Sequence, residues 1–249
     1  MEKGKYRIIM NKIIEEILEM PYYKNYAATS GAVHNISKHE DAVEIILSDS
    51  KKGNLNKVSM PEILKPTGEF YKRGPKKGTP KTKPISRKDI RDRWLKGIDT
   101  EYMPDNSYIP QPCGTHNNPD FVVKKDGKMF FIECKSAEGA KPVYNSAHAK
   151  QNYIYVLCSE EYNATTVFMG QHIVSQKAAE LYDARQQDHI EVDKKHDRIF
   201  AESGADVNNR GPGYFNRPMY IQEGSKEKTD YFTHKNRSKA ENEVREFVS

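Results

Sequence analysis

The chain has 249 residues, of which 36% are hydrophobic and 30% are charged, and its formal net charge is +5. Its 15 Tyr, 9 Phe and one Trp exclude a wholly disordered protein, and no apolar run approaches the roughly 20 residues that cross a bilayer. We therefore expect one globular domain over residues 1–249, with long polar loops, in the cytoplasm and without a membrane partner.

The first predicted element is a helix over residues 5–19, where apolar side chains recur at spacings of three and four residues. Pro21 is expected to end it, because proline cannot continue a helix. The apolar face of this helix should pack on a sheet. Residues 42–47 form a short apolar run, which we interpret as a strand.

Basic charge is concentrated in the next part of the chain. Residues 72–96 hold eleven Lys or Arg and two Asp, a local charge of +9, so the remaining 224 residues sum to −4. Because such a density favours binding to phosphates, we predict a DNA-contacting segment over residues 57–99. A solvated linker is the alternative, since the Gly and Pro of residues 74–84 argue against regular structure. The candidate DNA contacts are Lys72, Arg73, Lys76, Lys77, Arg87, Lys88 and Arg91.

A short helix is predicted after this stretch. Ser86, with Asp89 three residues further on, is similar to a capping box, and the helix should bury Ile90 and Trp94 on one face. Residues 102–118 then have the composition of a polar loop that is interrupted by prolines.

Residues 119–135 predict a β-hairpin. The Asp-Gly dipeptide at 126–127 suits a two-residue type I′ turn between two apolar runs, because both central residues must take a positive φ. With that turn, paired residues have numbers that sum to 253, so Asp120 faces Glu133, and Lys135 shares the face of Glu133. Two carboxylates across a ladder repel each other, which indicates a cation between them, and hard oxygen ligands favour Mg²⁺.

The spacing of these residues resembles a known signature. Asp120 follows a proline, and twelve residues separate it from Glu133. One residue separates Glu133 from Lys135. This pattern resembles the motif of the PD-(D/E)xK nuclease superfamily, in which the type II restriction endonucleases look nearest. The resemblance implies an α/β fold in which helices flank a central mixed β-sheet, with a catalytic core over residues 100–185.

The resemblance also implies roles for single residues. Asp120, Glu133 and Lys135 would be catalytic, and the first two would hold Mg²⁺ beside a phosphodiester of double-stranded DNA. Enzymes of this superfamily often take an additional acid from an upstream helix, for which Glu16 is the candidate, although a place on the solvated side of its helix is the commoner explanation. Cleavage of both strands usually needs two active sites, so a homodimer is expected. Cys134 should point to the core-facing side of its strand, where it packs.

Four further elements are predicted after the hairpin: a buried strand over residues 152–158, a strand over 165–170, a covering helix over 175–185 and a polar terminal helix within 226–249. Asn145 precedes them and is a candidate DNA contact, although an Asn in a turn is the commoner explanation.

Residues 204–220 predict a recognition loop. Their Gly and Pro residues forbid a long helix, while Asn and Arg side chains make bidentate contacts with adenine and guanine edges in the major groove. An ordered surface loop is the alternative. The candidate base contacts are Asn208, Asn209, Arg210, Asn216 and Arg217.

Three functions are compatible with these observations. The first is a Mg²⁺-dependent, sequence-specific endonuclease of the type II restriction kind. The second is a structure-specific or repair nuclease, and the third is a nucleic-acid-binding module without catalysis. The chain has no P-loop motif, so no nucleotide cofactor is expected.

Overall fold

The predicted hairpin becomes the middle of a six-stranded sheet in the computed structural model of the chain. The structure describes residues 3–22, 38–115, 117–144, 148–204, 220, 222 and 230–249. Over these ranges the architecture is α/β, and helices pack against a central sheet that contains parallel and antiparallel pairs. The predicted fold class is therefore confirmed.

Within the described ranges, eight strands form two separate sheets. The strands are β1 (Asn56–Lys57), β2 (Leu64–Phe70), β3 (Pro80–Pro84), β4 (Ser107–Pro110), β5 (Phe121–Lys125), β6 (Lys128–Ala137), β7 (Tyr153–Ser159) and β8 (Ala164–Met169). The central sheet has the order β1-β4-β5-β6-β7-β8, whereas β2 and β3 form a two-stranded antiparallel ribbon. In the central sheet, β1 is parallel to β4 and β6 is parallel to β7, and the other neighbours are antiparallel.

Helices cover the sheet from both sides. They are α1 (Lys3–Leu18), α2 (Lys38–Ser48), α3 (Arg87–Trp94), α4 (Gln176–Ser203) and α5 (Arg237–Val248). Because side chains alternate along a strand, β6 contributes Ile132 to the apolar cluster under α1, α2 and α5, and Phe131 to a second cluster that contains Trp94 of α3. The central strands are thus buried on both faces.

The start of α3 follows the sequence-based expectation. The Ser86 hydroxyl accepts the backbone N–H of Asp89 at 3.1 Å, and Ile90 and Trp94 are buried. This hydrogen bond satisfies one of the N–H groups that a helix N-terminus leaves without a partner. The predicted cap and the predicted buried face are confirmed.

Three predictions for the first half of the chain are wrong. Residues 42–47 lie in helix α2, because Ala42, Val43 and Ile46 recur at helical spacing and Glu40 stabilises the first turn. Residues 74–84 contain β3, whose prolines lie at the two ends of an edge strand, where proline is tolerated. Residues 102–118 contain the buried strand β4.

The predicted covering helix is longer and more exposed than expected. Residues 175–185 were the expected extent, but α4 continues to Ser203, and Ala179 is its one buried residue among those described. Its polar sequence explains the exposure. Among the residues that the structure describes, no helix combines the length and the apolar character needed to cross a bilayer.

Candidate active site

The register of the β5–β6 hairpin is the one predicted from its turn. Val122 pairs with Phe131 and Lys124 with Met129, while the residues at 126 and 127 have φ values of 51° and 75°, as a type I′ turn requires. Asp120 immediately precedes β5. Its Oδ2 atom accepts the backbone N–H of Cys134 at 2.7 Å, so the Asp120 carboxylate is held beside the Glu133–Lys135 stretch of β6.

Glu133 and Lys135 point to the same face of the sheet. Phe131, two residues earlier, belongs to the cluster beside α3, whereas Cys134 belongs to the opposite cluster, as predicted. The Lys135 ammonium donates a hydrogen bond to Glu133 Oε1 at 2.6 Å, and both side chains are largely buried. The structure therefore brings Asp120, Glu133 and Lys135 together.

Burial and like charge make this site unfavourable for a negative carboxylate. The pKa of Asp120 is raised well above its usual value, first by burial and then by the charges of Glu133 and Glu40, against the smaller opposing effects of the Cys134 N–H and Lys135. Burial lowers the pKa of Lys135, but the charge of Glu133 and the hydrogen bond to it outweigh burial, so the net pKa of Lys135 is raised. Lys135 is thereby held as a cation.

A third carboxylate, which the sequence did not reveal, joins these residues. Glu40, in the first turn of α2, accepts a hydrogen bond from Nε2 of Gln111 at 2.9 Å, and the same Nε2 donates to Oδ1 of Asp120 at 3.3 Å. The pKa of Glu40 is raised by burial and by the charge of Glu133. The helical spacing of the apolar residues that follow Glu40 was the signal that could have placed it on a helix.

Glu16, the predicted additional acid, lies elsewhere. Its carboxylate forms a 2.7 Å ion pair with Lys52, and both residues line a cavity of about 400 Å³ between α1 and α2. Glu40 on α2, and not Glu16 on α1, is the upstream-helix acid that shares the Gln111 amide with Asp120.

Arg91 supports the approach to the site. Its guanidinium donates to the backbone oxygen of Asn118 at 2.9 Å and pairs with Asp92, and 17% of its side chain is exposed. Asn118 lies two residues before Asp120, so Arg91 holds the loop that delivers this acid. The Arg91 guanidinium is thus engaged within the protein, and its predicted DNA contact stays a prediction.

The site has oxygen atoms that fit a divalent cation. Oε2 of Glu133 and Oε1 of Gln111 are buried and have no hydrogen-bond partner among the described residues. An unsatisfied buried carboxylate oxygen is costly, and a cation would satisfy it. Oxygen donors of this kind suit Mg²⁺. Within the described ranges, no group of three or more His, Cys, Asp or Glu side chains is preformed as a metal site, so cation binding would have to draw the carboxylates closer.

The basic segment forms a folded ribbon. Residues 64–84 carry seven Lys or Arg and one Glu, and Lys65 pairs directly with Lys83 across the two strands. The ammonium groups of Lys76 and Lys81 lie 5.8 and 6.0 Å from the centre of the Tyr71 ring. Six of the predicted DNA contacts are exposed: Lys72, Arg73, Lys76 and Lys77 at the ribbon tip, and Arg87 and Lys88 in the first turn of α3.

The remaining predicted DNA contacts lie outside the described residues. They are Asn145, Asn208, Asn209, Arg210, Asn216 and Arg217, and most of the predicted recognition loop over 204–220 lies outside as well. The exposed ribbon and the first turn of α3 are thus the exposed parts of the predicted DNA surface that the structure describes.

Compared with models of protein families, with curated proteins and with solved structures, the chain matches none of them. The chemistry of the site is therefore inferred from its own residues.

Proposed function

We propose that the protein is a Mg²⁺-dependent endonuclease that hydrolyses phosphodiester bonds of double-stranded DNA at defined sequences, as type II restriction endonucleases do. One observation carries the proposal. Asp120, Glu133 and Lys135 meet at the end of a central hairpin, and a buried oxygen of Glu133 has no partner among the described residues. Paired acids beside a lysine are the residue types that metal-assisted phosphodiester hydrolysis needs.

The chemical roles follow from the contacts. Asp120, Glu133 and Glu40 would hold the cation, which when bound neutralises charge on the phosphoryl oxygens and lowers the pKa of the attacking water. Glu133 fixes the Lys135 ammonium at 2.6 Å and raises its pKa. Lys135 would therefore act as a fixed positive charge that orients the water and stabilises the pentavalent phosphorane.

The ribbon supports a nucleic-acid substrate. Its residues 64–84 have a net charge of +6, and its tip is exposed. The major groove of DNA admits a two-stranded β-ribbon, and lysines along it can neutralise phosphates. We further propose that the protein works in the cytoplasm as a homodimer, because cutting both strands at a palindromic site calls for two active sites related by a two-fold axis.

The test is digestion of a long, sequenced phage DNA with the full chain in Mg²⁺, followed by run-off sequencing of the ends. Discrete ends that share one short sequence are expected. Ends that cluster at branches or termini without a common sequence would instead indicate a structure-specific or repair nuclease. Binding without any cleavage on linear, branched and single-stranded DNA would reduce the protein to a nucleic-acid-binding module and overturn the proposal.

A further inference from the structure

Gln111 connects the two elements that supply the acids of the site. It directly follows β4, and its backbone N–H donates to the backbone oxygen of Asp120 at 2.6 Å, which extends the β4–β5 pairing by one residue. Its φ of 47° lies in the left-handed region, which a glutamine seldom adopts. Backbone strain of this kind is concentrated at functional sites, so this position calls for an explanation.

The orientation of the Gln111 amide is determined by its neighbours. Nε2 carries two hydrogens and contacts two carboxylates, Glu40 at 2.9 Å and Asp120 at 3.3 Å. A reversed amide would place Oε1 against the same two carboxylates, where every contact would be repulsive. The amide therefore has one favourable orientation, in which Oε1 is buried without a partner among the described residues.

We propose that Gln111 is a positioning residue of the cation site. Its NH₂ group bridges the α2 acid and the hairpin acid, and its Oε1 is a neutral, buried oxygen without a partner among the described residues. This inference rests on the proposed function, because it assumes that the three acids hold a divalent cation. A solely structural glutamine would stabilise the fold without affecting cation affinity.

The experiment measures Ca²⁺ binding by calorimetry on the full chain, without DNA, so that no turnover intervenes. Gln111→Met keeps the length of the side chain and removes the amide, and Gln111→Gly removes the side chain while relieving the left-handed backbone. Both variants should bind Ca²⁺ about 10- to 100-fold more weakly than the wild type, the range found when residues that orient metal ligands are removed.

Asn54→Gly is the matched control, because Asn54 is an exposed residue with a φ of 49° in the turn after α2, where its backbone N–H donates to the Asp49 oxygen. Its Ca²⁺ affinity should equal that of the wild type. Circular dichroism would show whether each variant is folded. If Gln111→Met were misfolded, the Ca²⁺ affinity of Gln111→Gly, whose backbone is unstrained, would provide the test.

The outcomes separate this inference from the proposed function. If the wild type and both Gln111 variants bound Ca²⁺ with equal affinity, the proposed role of Gln111 would be overturned. The nuclease proposal would remain intact. Wild-type protein that binds no Ca²⁺ would remove the cation site itself, and with it both proposals. Weaker binding by both Gln111 variants, with an unchanged Asn54→Gly, is the expected result.

Discussion

The hairpins β5–β6 and β2–β3 both bring like charges together, but in opposite environments. At the first, Asp120 and Glu133 are largely enclosed between β4 and β7, and burial raises the pKa of Asp120. At the second, Lys65 pairs with Lys83 in a ribbon whose residues are mostly exposed. Like charges across a ladder destabilise a sheet unless a counter-charge compensates them.

The difference indicates two kinds of ligand. Buried acids can be compensated by a small ion that fits between them, whereas exposed lysines on a projecting ribbon can meet a large polyanion without being desolvated first. A two-stranded ribbon is only marginally stable alone, so a partner along its length would stabilise it. Under the proposed function, the enclosed hairpin would account for cleavage and the exposed ribbon for attachment to DNA.

The largest expected effect comes from removing the ribbon. The backbone N–H of Ile85 donates to the oxygen of Ile63 at 3.0 Å, so a Gly-Ser linker of about four residues can replace residues 65–83 without moving either end. We expect DNA affinity to fall at least about 10²-fold, because several phosphate contacts are lost. Ca²⁺ affinity and thermal stability should remain close to those of the wild type. Unchanged DNA binding would remove the ribbon from the interface.

A charge reversal at the tip refines this test. Lys76→Glu combined with Lys77→Glu should weaken DNA binding and reduce the slope of log affinity against log salt by about 2, since each phosphate contact contributes about 0.9. Lys194→Glu combined with Lys195→Glu makes the same charge change on the exposed part of α4. Equal losses in the two double variants would mean that overall charge, and not the ribbon, controls binding.

The smallest expected effect concerns the pH dependence of the cation-free protein. The pKa values of Asp120 and Glu40 are raised in the folded state from 3.8 and 4.5. The folded protein therefore binds protons more tightly than the unfolded chain. Its free energy of unfolding should fall as the pH rises from the pKa values of the unfolded chain through the higher pKa values of the folded protein. A divalent cation should oppose this loss. Urea unfolding between about pH 4 and 8, with and without Ca²⁺, measures this pH dependence of the free energy of unfolding.

Glu40→Gln keeps the acceptor for Gln111 and removes one charge. The cation-free variant should therefore be more stable near neutral pH, by no more than about 1 kcal/mol because the carboxylate is partly solvated, and it should bind Ca²⁺ more weakly. Glu16→Gln is the matched control on α1, where the carboxylate pairs with Lys52. If the two variants responded alike, Glu40 would have no special place at the site.

Much of the enclosed hairpin could be predicted because its determinants are local. The turn residues at 126–127 fix the register, because the turn type and the loop length of a hairpin determine which residues pair. The capped start of α3 depends on the four consecutive residues 86–89 and could be predicted from the sequence for the same reason. Such features need no knowledge of distant parts of the chain.

The rest depends on contacts between distant residues. Glu40 and Gln111 are separated by 71 positions, and no local pattern shows that one amide will bridge the acids of α2 and β5. The short apolar run at 42–47 was interpreted as a strand, although its apolar residues also have helical spacing, and they pack as part of helix α2. The prolines of β3 argued against a strand in the sequence. They are tolerated because both strands of the ribbon are edge strands.

The central claim is that Asp120, Glu133 and Lys135 form the catalytic site, and cleavage of a defined DNA in Mg²⁺ tests it most directly. Asp120→Ala, Glu133→Ala and Lys135→Ala should each lower the cleavage rate by at least about 10²-fold, while binding to the same DNA in Ca²⁺ remains largely intact. Discrete fragments from the wild type and none from the three variants is the predicted result. A fully active Glu133→Ala protein would contradict the account.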